Sequence, residues 1–309
     1  FIDNLKLFVM KNFYAKFLNV KILTSVFFLF VSLFVYGQNE KDLWANESFG
    51  HYDMTKEVLS KRTATSKVFD KGNGSFIGHI SSGPIHYMHN GEFKTIYNSI
   101  VQNNSGLYSQ YAYANTTNSF KSFYSNDINN LGTITVFSSG EVLNDMKSMK
   151  MYYEKNGQLL STVQNFGNTN PIVNNREISY PSIYGNDIDL KLTQSNLRRK
   201  MDYIINSSNA ISNFPSGATH LVFEETVQLP NGWSATNQDN TILIYSASQT
   251  LMATYPKPEF YDVNPDENLK SNDPDPNKYK PMIEGEYEIV QNGQNLTIKT
   301  LVELDWLTH

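Results

Sequence analysis

The 309-residue chain contains no cysteine. That excludes disulfides, thiolate metal sites, a cysteine nucleophile and the acylated cysteine of a lipid anchor. Long apolar runs are also missing. The longest, Ile22 to Val35, has 14 residues, short of the roughly 20 needed to span a bilayer. Basic residues gather only at Leu197-Arg198-Arg199-Lys200, and the formal net charge is -5. A balance of that sign repels phosphate backbones and argues against nucleic acid as a partner. No G-x-S-x-G nucleophile elbow occurs, and beyond the apolar run no segment sustains a helical period.

What is present begins with an export pattern. Lys11, Lys16 and Lys21 precede the apolar run, and Val35-Tyr36-Gly37 places modest or small residues before Gln38. Basic n-region, short apolar core and small-residue site are the three parts of a signal peptide. A leader helix removed near Gly37-Gln38 is therefore expected, with Met10 as the start and Phe1 to Val9 outside any mature product. The expected destination is extracellular or the cell surface, with no membrane attachment after cleavage. Residues 1–37 hold four of the 25 basic side chains and one of the 30 acidic ones, so the remainder carries 21 against 29, a net of -8. Without disulfides, stability must come from core burial, which about 270 residues can supply.

Residues 38–61 are polar and read as a linker with room for a short helical turn. Residues 62–309 are punctuated by Asn-Gly at positions 73, 90, 156, 231 and 292. Asn-Gly favours positive φ at both centres of a two-residue hairpin turn. Residues on either side alternate with period two: Pro84 to Met88 with Phe93 to Tyr97, Met149 to Tyr153 with Leu159 to Val163, and Gly285 to Val290 with Leu296 to Val302. With 19 tyrosines and 19 phenylalanines, these patterns predict an all-β domain, an antiparallel β-sandwich. Within residues 62–309, Leu197 to Ile205 leaves room for a helical turn or two. Asp262 to Pro281 holds Pro265, Pro274, Pro276 and Pro281 among Asp and Asn, and is expected to be an exposed insertion within one domain. The ending at Asp305-Trp306-Leu307-Thr308-His309 carries no capping signal, so a C-terminal continuation of the polypeptide is expected.

Several groups have the residue types or spacing of a site. Asp262, Asn264, Asp266 and Asp273 fall at positions 1, 3, 5 and 12 of the D-x-[DN]-x-[DN]-G-x5-E calcium loop, whose alternating oxygens converge on Ca²⁺. Glu267 replaces the turn glycine and Pro265 stiffens position 4, and Asp273-x-Asp275-x-Asn277 repeats the pattern nearby; a solvated loop is the competing reading. His86 and His89, with His79, supply too few converging ligands for zinc. Glu224-Glu225 and Asp187/Asp189 are the carboxylate pairs that a glycosidase reading would use, with mutual repulsion on one strand face the plainer account of the latter. Tyr108, Tyr111, Tyr113 and Tyr124 suggest a glycan-stacking platform or ordinary core. Arg198 to Lys200 reads as a solvated strand edge. No residue pattern points to a catalytic role, and calcium is the one cofactor the sequence suggests.

Arg62-Thr63-Ala64-Thr65-Ser66-Lys67-Val68-Phe69-Asp70, Gly72-Asn73-Gly74 and Pro84-Ile85-His86-Tyr87 resemble the N-terminal region of very large secreted bacterial surface proteins of the wall-associated, RHS/YD-repeat type. Ile178 to Tyr184 with Asp187 to Leu192, then Pro256-Lys257-Pro258 with Tyr261-Asp262 and Gly285 to Ile289, resemble later motifs of that region. The resemblance spans roughly residues 62 to 307 and departs at the long Asp262 to Pro281 loop. It implies a non-catalytic leading module with an adhesion, structural or delivery role. It also implies partners among cell-surface glycans or proteins. The alternative is a carbohydrate-active protein, either a glycan-binding β-sandwich or a hydrolase.

Overall fold

The computed structural model describes residues 11–14, 56–164, 167, 169–185, 187–262 and 282–307. The strands in chain order begin with β1 (Lys11–Tyr14), β2 (Ser66–Asp70), β3 (Phe76–Ile80), β4 (His86–His89), β5 (Glu92–Thr95), β6 (Val101–Gln102), β7 (Tyr113–Asn115) and β8 (Lys121–Tyr124). After helix α1 (Ile128–Leu131) come β9 (Thr133–Val136), β10 (Val142–Lys155), β11 (Gln158–Gln164), β12 (Ile172–Asn174), β13 (Glu177–Tyr180), β14 (Ile188–Ser195) and β15 (Arg198–Ile205). The chain continues through β16 (His220–Gln228), β17 (Ser234–Gln238), β18 (Thr241–Tyr245), β19 (Leu251–Tyr255) and β20 (Glu259–Tyr261). It closes with β21 (Met282–Glu284), β22 (Glu286–Asn292), β23 (Asn295–Glu303) and the short helix α2 (Leu304–Leu307). The fold is all-β and antiparallel throughout its strand pairs, as the alternation predicts.

Two compact units divide the chain: residues 17–95, and residues 1–16 with 96–309. The described part of the smaller unit is a pair of hairpins, β2-β3 and β4-β5, preceded by one 3-10 turn at Leu59–Lys61. Within it Arg62 clamps Glu57, donating Nε to Oε1 at 2.7 Å and Nη2 to Oε2 at 2.8 Å.

In the larger unit a nine-stranded sheet runs β22-β23-β16-β10-β9-β8-β7-β6, with β11 also on β10. Two smaller sheets cover one of its faces. The five-stranded sheet β1-β15-β14-β13-β12 contributes Ile178, Tyr180, Leu190, Leu192 and Tyr203 to a core completed by Tyr124, Met149, Met151, Tyr153, Leu221 and Phe223. The three-stranded sheet β17-β18-β19 contributes Ile242, Ile244 and Ala253 to a second core with Leu143, Val227, Leu296 and Ile298. This is the sandwich-like layering in which each sheet buries its apolar alternate residues.

Turn chemistry sets the registers. Asn90-Gly91 (φ 50 and 81) and Asn156-Gly157 (φ 49 and 77) close β4-β5 and β10-β11 with both centres left-handed, as Asn-Gly favours. Asp239-Asn240 (φ 50 and 59) does the same for β17-β18 without a glycine. At Asn292-Gly293 the turn lies one residue later than expected, because Asn292 still pairs with Asn295. Asn231-Gly232 joins strands of different sheets rather than closing a hairpin. β20 and β21 pair across the gap from Tyr261 to Met282, so the chain leaves and returns at one point on either side of the proline-rich stretch.

One expectation needs correction. Leu197 to Ile205 is not helical: Leu197 takes φ 62 in the turn, and Arg198–Ile205 pairs with β14 along its full length. The strand buries Met201, Tyr203 and Ile205 on one face, a period of two that outweighs local helix preference. The expected leader run Ile22 to Val35 lies outside the described residues. Of its basic flank, Lys11–Tyr14 is described as β1, which pairs antiparallel with β15 from Arg198 to Met201.

Candidate functional site

The inner face of the nine-stranded sheet is not apolar throughout. Moving along its strands, Phe120 just before β8 and Tyr124 of β8 flank Ser122; Leu143 and Met146 of β10 flank Asp145; Phe223 and Val227 of β16 flank Glu225; Ile298 and Val302 of β23 flank Thr300. In each case the apolar residues belong to the two different cores, and the polar residue between them is buried. A polar seam therefore crosses the sheet where the two cores meet. Asp145 points inward because the β10 register against β16 shifts between Asn144 and Ser148, an irregularity of the kind that re-aims side chains.

The seam is closed by hydrogen bonds. Thr133 Oγ1 and Thr135 Oγ1 donate to the two Asp145 oxygens at 2.6 and 2.7 Å, and Arg199 of β15 donates Nη2 to Asp145 Oδ2. Gln194, directly opposite Arg199 in the β14-β15 register, accepts from Ser122 Oγ at 3.1 Å and Tyr124 OH at 2.9 Å. Burial alone would lower the Arg199 pKa, but the Asp145 carboxylate beside it holds it above its ordinary value. Burial pushes the Tyr124 phenol up to about 12. Tyr255 and Glu225 line the same cavity of about 20 Å³ with Asp145 and Arg199. A charged pair so enclosed ties the five-stranded sheet to the nine-stranded one. It has no room for a substrate.

The open polar feature lies elsewhere. A cavity of about 400 Å³ is lined by Tyr153, Thr162, Asp187, Asn209 and Asn213 with the apolar Val163 and Ala210. Its walls come from β10, β11, the turn before β14 and the loop after β15. That loop carries a 3-10 turn, Ser208–Ile211, started by Ser207 accepting from Asn209 N and anchored by buried Ile211. Tyr153 OH donates to Ile211 O at 2.9 Å, fixing loop to sheet. Asp187 has φ 73 and its carbonyl accepts from Asn206 N at 2.7 Å, so its left-handed backbone is held by the loop it faces. Phe214, the next residue after Asn213, is 42% exposed with its ring centroid 6.2 Å from that of Tyr153. A second cavity of about 380 Å³ is lined by His220, Glu284, Glu286 and Glu303.

The sequence-predicted residues fare differently. Asp262 follows β20 and is half-buried, while Asn264, Asp266 and Asp273 lie outside the described residues. Among the described residues no group of three or more acidic, histidine or cysteine side chains is placed to hold a metal. His86 and His89 sit three apart on β4 and so face opposite ways. His86 is buried with Nδ1 on Thr63 O at 2.7 Å, and burial lowers its pKa; His89 is exposed. Glu224 and Glu225 likewise take opposite faces of β16. Tyr152 OH donates to Glu224 at 2.9 Å on the outer face, and Glu225 is in the seam.

Three readings are corrected here. Asp187 and Asp189 are not a same-face pair, since Asp187 precedes β14 in a left-handed turn. Asp189 accepts from Ser182 N at 2.8 Å and Asn206 Nδ2 at 2.9 Å. The basic cluster is not wholly a solvated edge: Arg199 is 6% exposed and pairs inward with Asp145. No tyrosine platform forms, because Tyr111 and Tyr124 are buried and Tyr108 packs its ring 4.9 Å from Phe123. The cavity residues Asn209 and Asn213 carried no sequence signal, being loop asparagines in a chain rich in them.

No family model, no curated protein and no solved structure matches the chain.

Proposed function

We propose that this chain is a non-catalytic recognition module of a larger exported protein, serving adhesion, structure or delivery. The observation that carries the reading is how its carboxylates are placed. Asp145 is tied to Arg199 and two threonines, Asp189 to a backbone amide and Asn206, and Glu224 to Tyr152. Among the described residues the larger open cavity is lined by one carboxylate among neutral amide and hydroxyl groups, and of the three glutamates lining the second, Glu284 is paired with Lys257. Hydrolysis of a glycosidic bond by paired carboxylates needs two acids facing each other across a cleft. One acid among amides suits binding without turnover. Export is supported by the leader pattern, and the leading position by the motifs that resemble those of RHS/YD-repeat surface proteins. The second reading, a carbohydrate-active protein, draws on the same cavity and differs in requiring turnover.

The test is to express the chain from Met10 in a Gram-negative host, fractionate the cells and weigh the product. An exported product beginning at Gln38 that releases no reducing ends from a panel of polysaccharides is expected. A full-length cytoplasmic product would overturn the export reading, and released reducing ends would establish the hydrolase instead.

A further inference from the structure

We propose that the cavity between β10, β11 and the loop after β15 is a binding site for the neutral sugar units of a glycan, with Phe214 as its stacking surface. The inference rests on the reading of this chain as a recognition module and names the ligand that module takes.

The argument starts from the charge of the lining. Among the described residues its polar groups are the Asp187 carboxylate, the Asn209 and Asn213 amides, the Thr162 hydroxyl and the Tyr153 phenol, with no lysine, arginine or histidine. An anionic ligand would find no cation here and would meet Asp187, so phosphorylated, sulfated and uronic acid ligands are disfavoured. A purely apolar ligand would leave the amides and the carboxylate without partners. A carboxylate accepts two hydrogen bonds at once, and each side-chain amide both donates and accepts. Neighbouring hydroxyls of a sugar ring, each a donor and an acceptor, match that set.

The second element is the ring. Phe214 keeps 42% of its surface exposed. It follows the lining residue Asn213, packs its ring 6.2 Å from that of the lining Tyr153, and has exposed apolar surface of the kind that stacks on the C–H side of a pyranose. The position is rigid on both sides. Ile211 anchors the loop in the core, and the Tyr153 phenol fastens it to β10. Asp187 is held from the opposite wall in a backbone conformation that only a few residues tolerate. A volume of about 400 Å³ accommodates one or two sugar units, within the usual range for small-molecule sites.

The test uses the purified exported product and hexasaccharides of β-1,4-glucose, β-1,3-glucose, xylose, mannose and galactose, with hexagalacturonate and a hexamer of glucosamine as charged controls. Saturation-transfer NMR at about 5 mM ligand detects weak binding and titration calorimetry measures it. At least one neutral hexamer is expected to bind, and hexagalacturonate is not. Phe214→Ala and Asn213→Ala should each weaken binding about tenfold or more. Phe214→Tyr should retain it, which guards against loss through misfolding. Asp187→Asn keeps the backbone preference and should weaken binding by removing the double acceptor. An exported, non-hydrolytic product that binds no neutral hexamer overturns this inference and leaves the module reading intact. Binding of the glucosamine hexamer alone, or binding unchanged in Phe214→Ala with Asn213→Ala, overturns it equally.

Discussion

The seam and the open cavity are both polar, and they lie on the same framework, yet they behave in opposite ways. In the seam β8, β10, β16 and β23 each contribute a buried polar residue between apolar ones, and Asp145 is held by Thr133, Thr135 and Arg199 away from water. At the cavity Asp187, Asn209 and Asn213 stand on a turn and a loop, beside Tyr153 and Thr162 on strands, and the two asparagines are exposed. The contrast separates a polar cluster that holds sheets together from one placed to meet a ligand. Buried charge is the conspicuous feature by chemistry alone, but exposure decides which cluster has a partner outside the chain.

Removing one side of the seam should have the largest effect. Arg199→Met leaves Asp145 buried beside two threonines without its cation, and a loss of about 3–5 kcal/mol in unfolding free energy is expected from urea titration. Replacing Asp145 by Leu as well should recover much of that loss, because the uncompensated charge goes too. Next comes the irregularity that aims Asp145. A Cβ on Gly132 would lie 2.0 Å from Met146 O and 2.6 Å from its carbonyl carbon, at φ 64. Gly132→Ala should cost about 2–4 kcal/mol by thermal melt, from backbone displacement and left-handed strain together.

A smaller effect is expected on the other face of β15. Burial raises the Asp202 carboxyl above its ordinary value despite Lys200 Nζ at 3.0 Å. A raised folded-state pKa means the ionised group opposes folding at neutral pH, and that the folded state takes up its proton first as pH falls. Asp202→Asn should therefore raise stability modestly at pH 7, with the advantage fading as pH drops through the raised value and gone below about 3.9, where the unfolded group is also protonated. Melting curves of both proteins from pH 7 to 3 would show it. The smallest effect belongs to the cavity: Asn209→Ala and Asn213→Ala, both exposed, should shift unfolding free energy by no more than about 0.5 kcal/mol. A large loss there would erase the contrast.

The same contrast explains what the sequence made legible. Hairpins were readable because a turn is a local event: Asn156-Gly157 needs only its own φ preference, and the flanking period of two needs only neighbours. Asp239-Asn240 was missed because asparagine reaches the left-handed region without glycine's signature. The seam was illegible for a stronger reason. Thr133-Ile134-Thr135 looks like a strand with its threonines in water, but Ile134 packs with Phe123 on one face while both threonines meet Asp145 on the other. Alternation says that two faces differ; it does not say which is covered when both are. Arg199 was misread for the same reason, since its position in a basic run pointed to a surface. The cavity depends on residues 153, 187 and 213 being brought together by three separate connections, which no spacing along the chain encodes.

The pairing of β1 with β15 has a consequence for any shortened form of this protein. A chain lacking residues 1–37 ends its five-stranded sheet at β15, and the backbone amides and carbonyls that Lys11–Tyr14 engaged from Arg198 to Met201 then face outward. Such an edge is a template for another strand. Two copies meeting there would bring Arg198 and Lys200 of each into opposition, so self-stacking is resisted, while an extended acidic segment from another molecule meets no such barrier. Trimming the N-terminus thus does more than shorten the polypeptide: it exchanges a bond the chain made with itself for one it can make with something else.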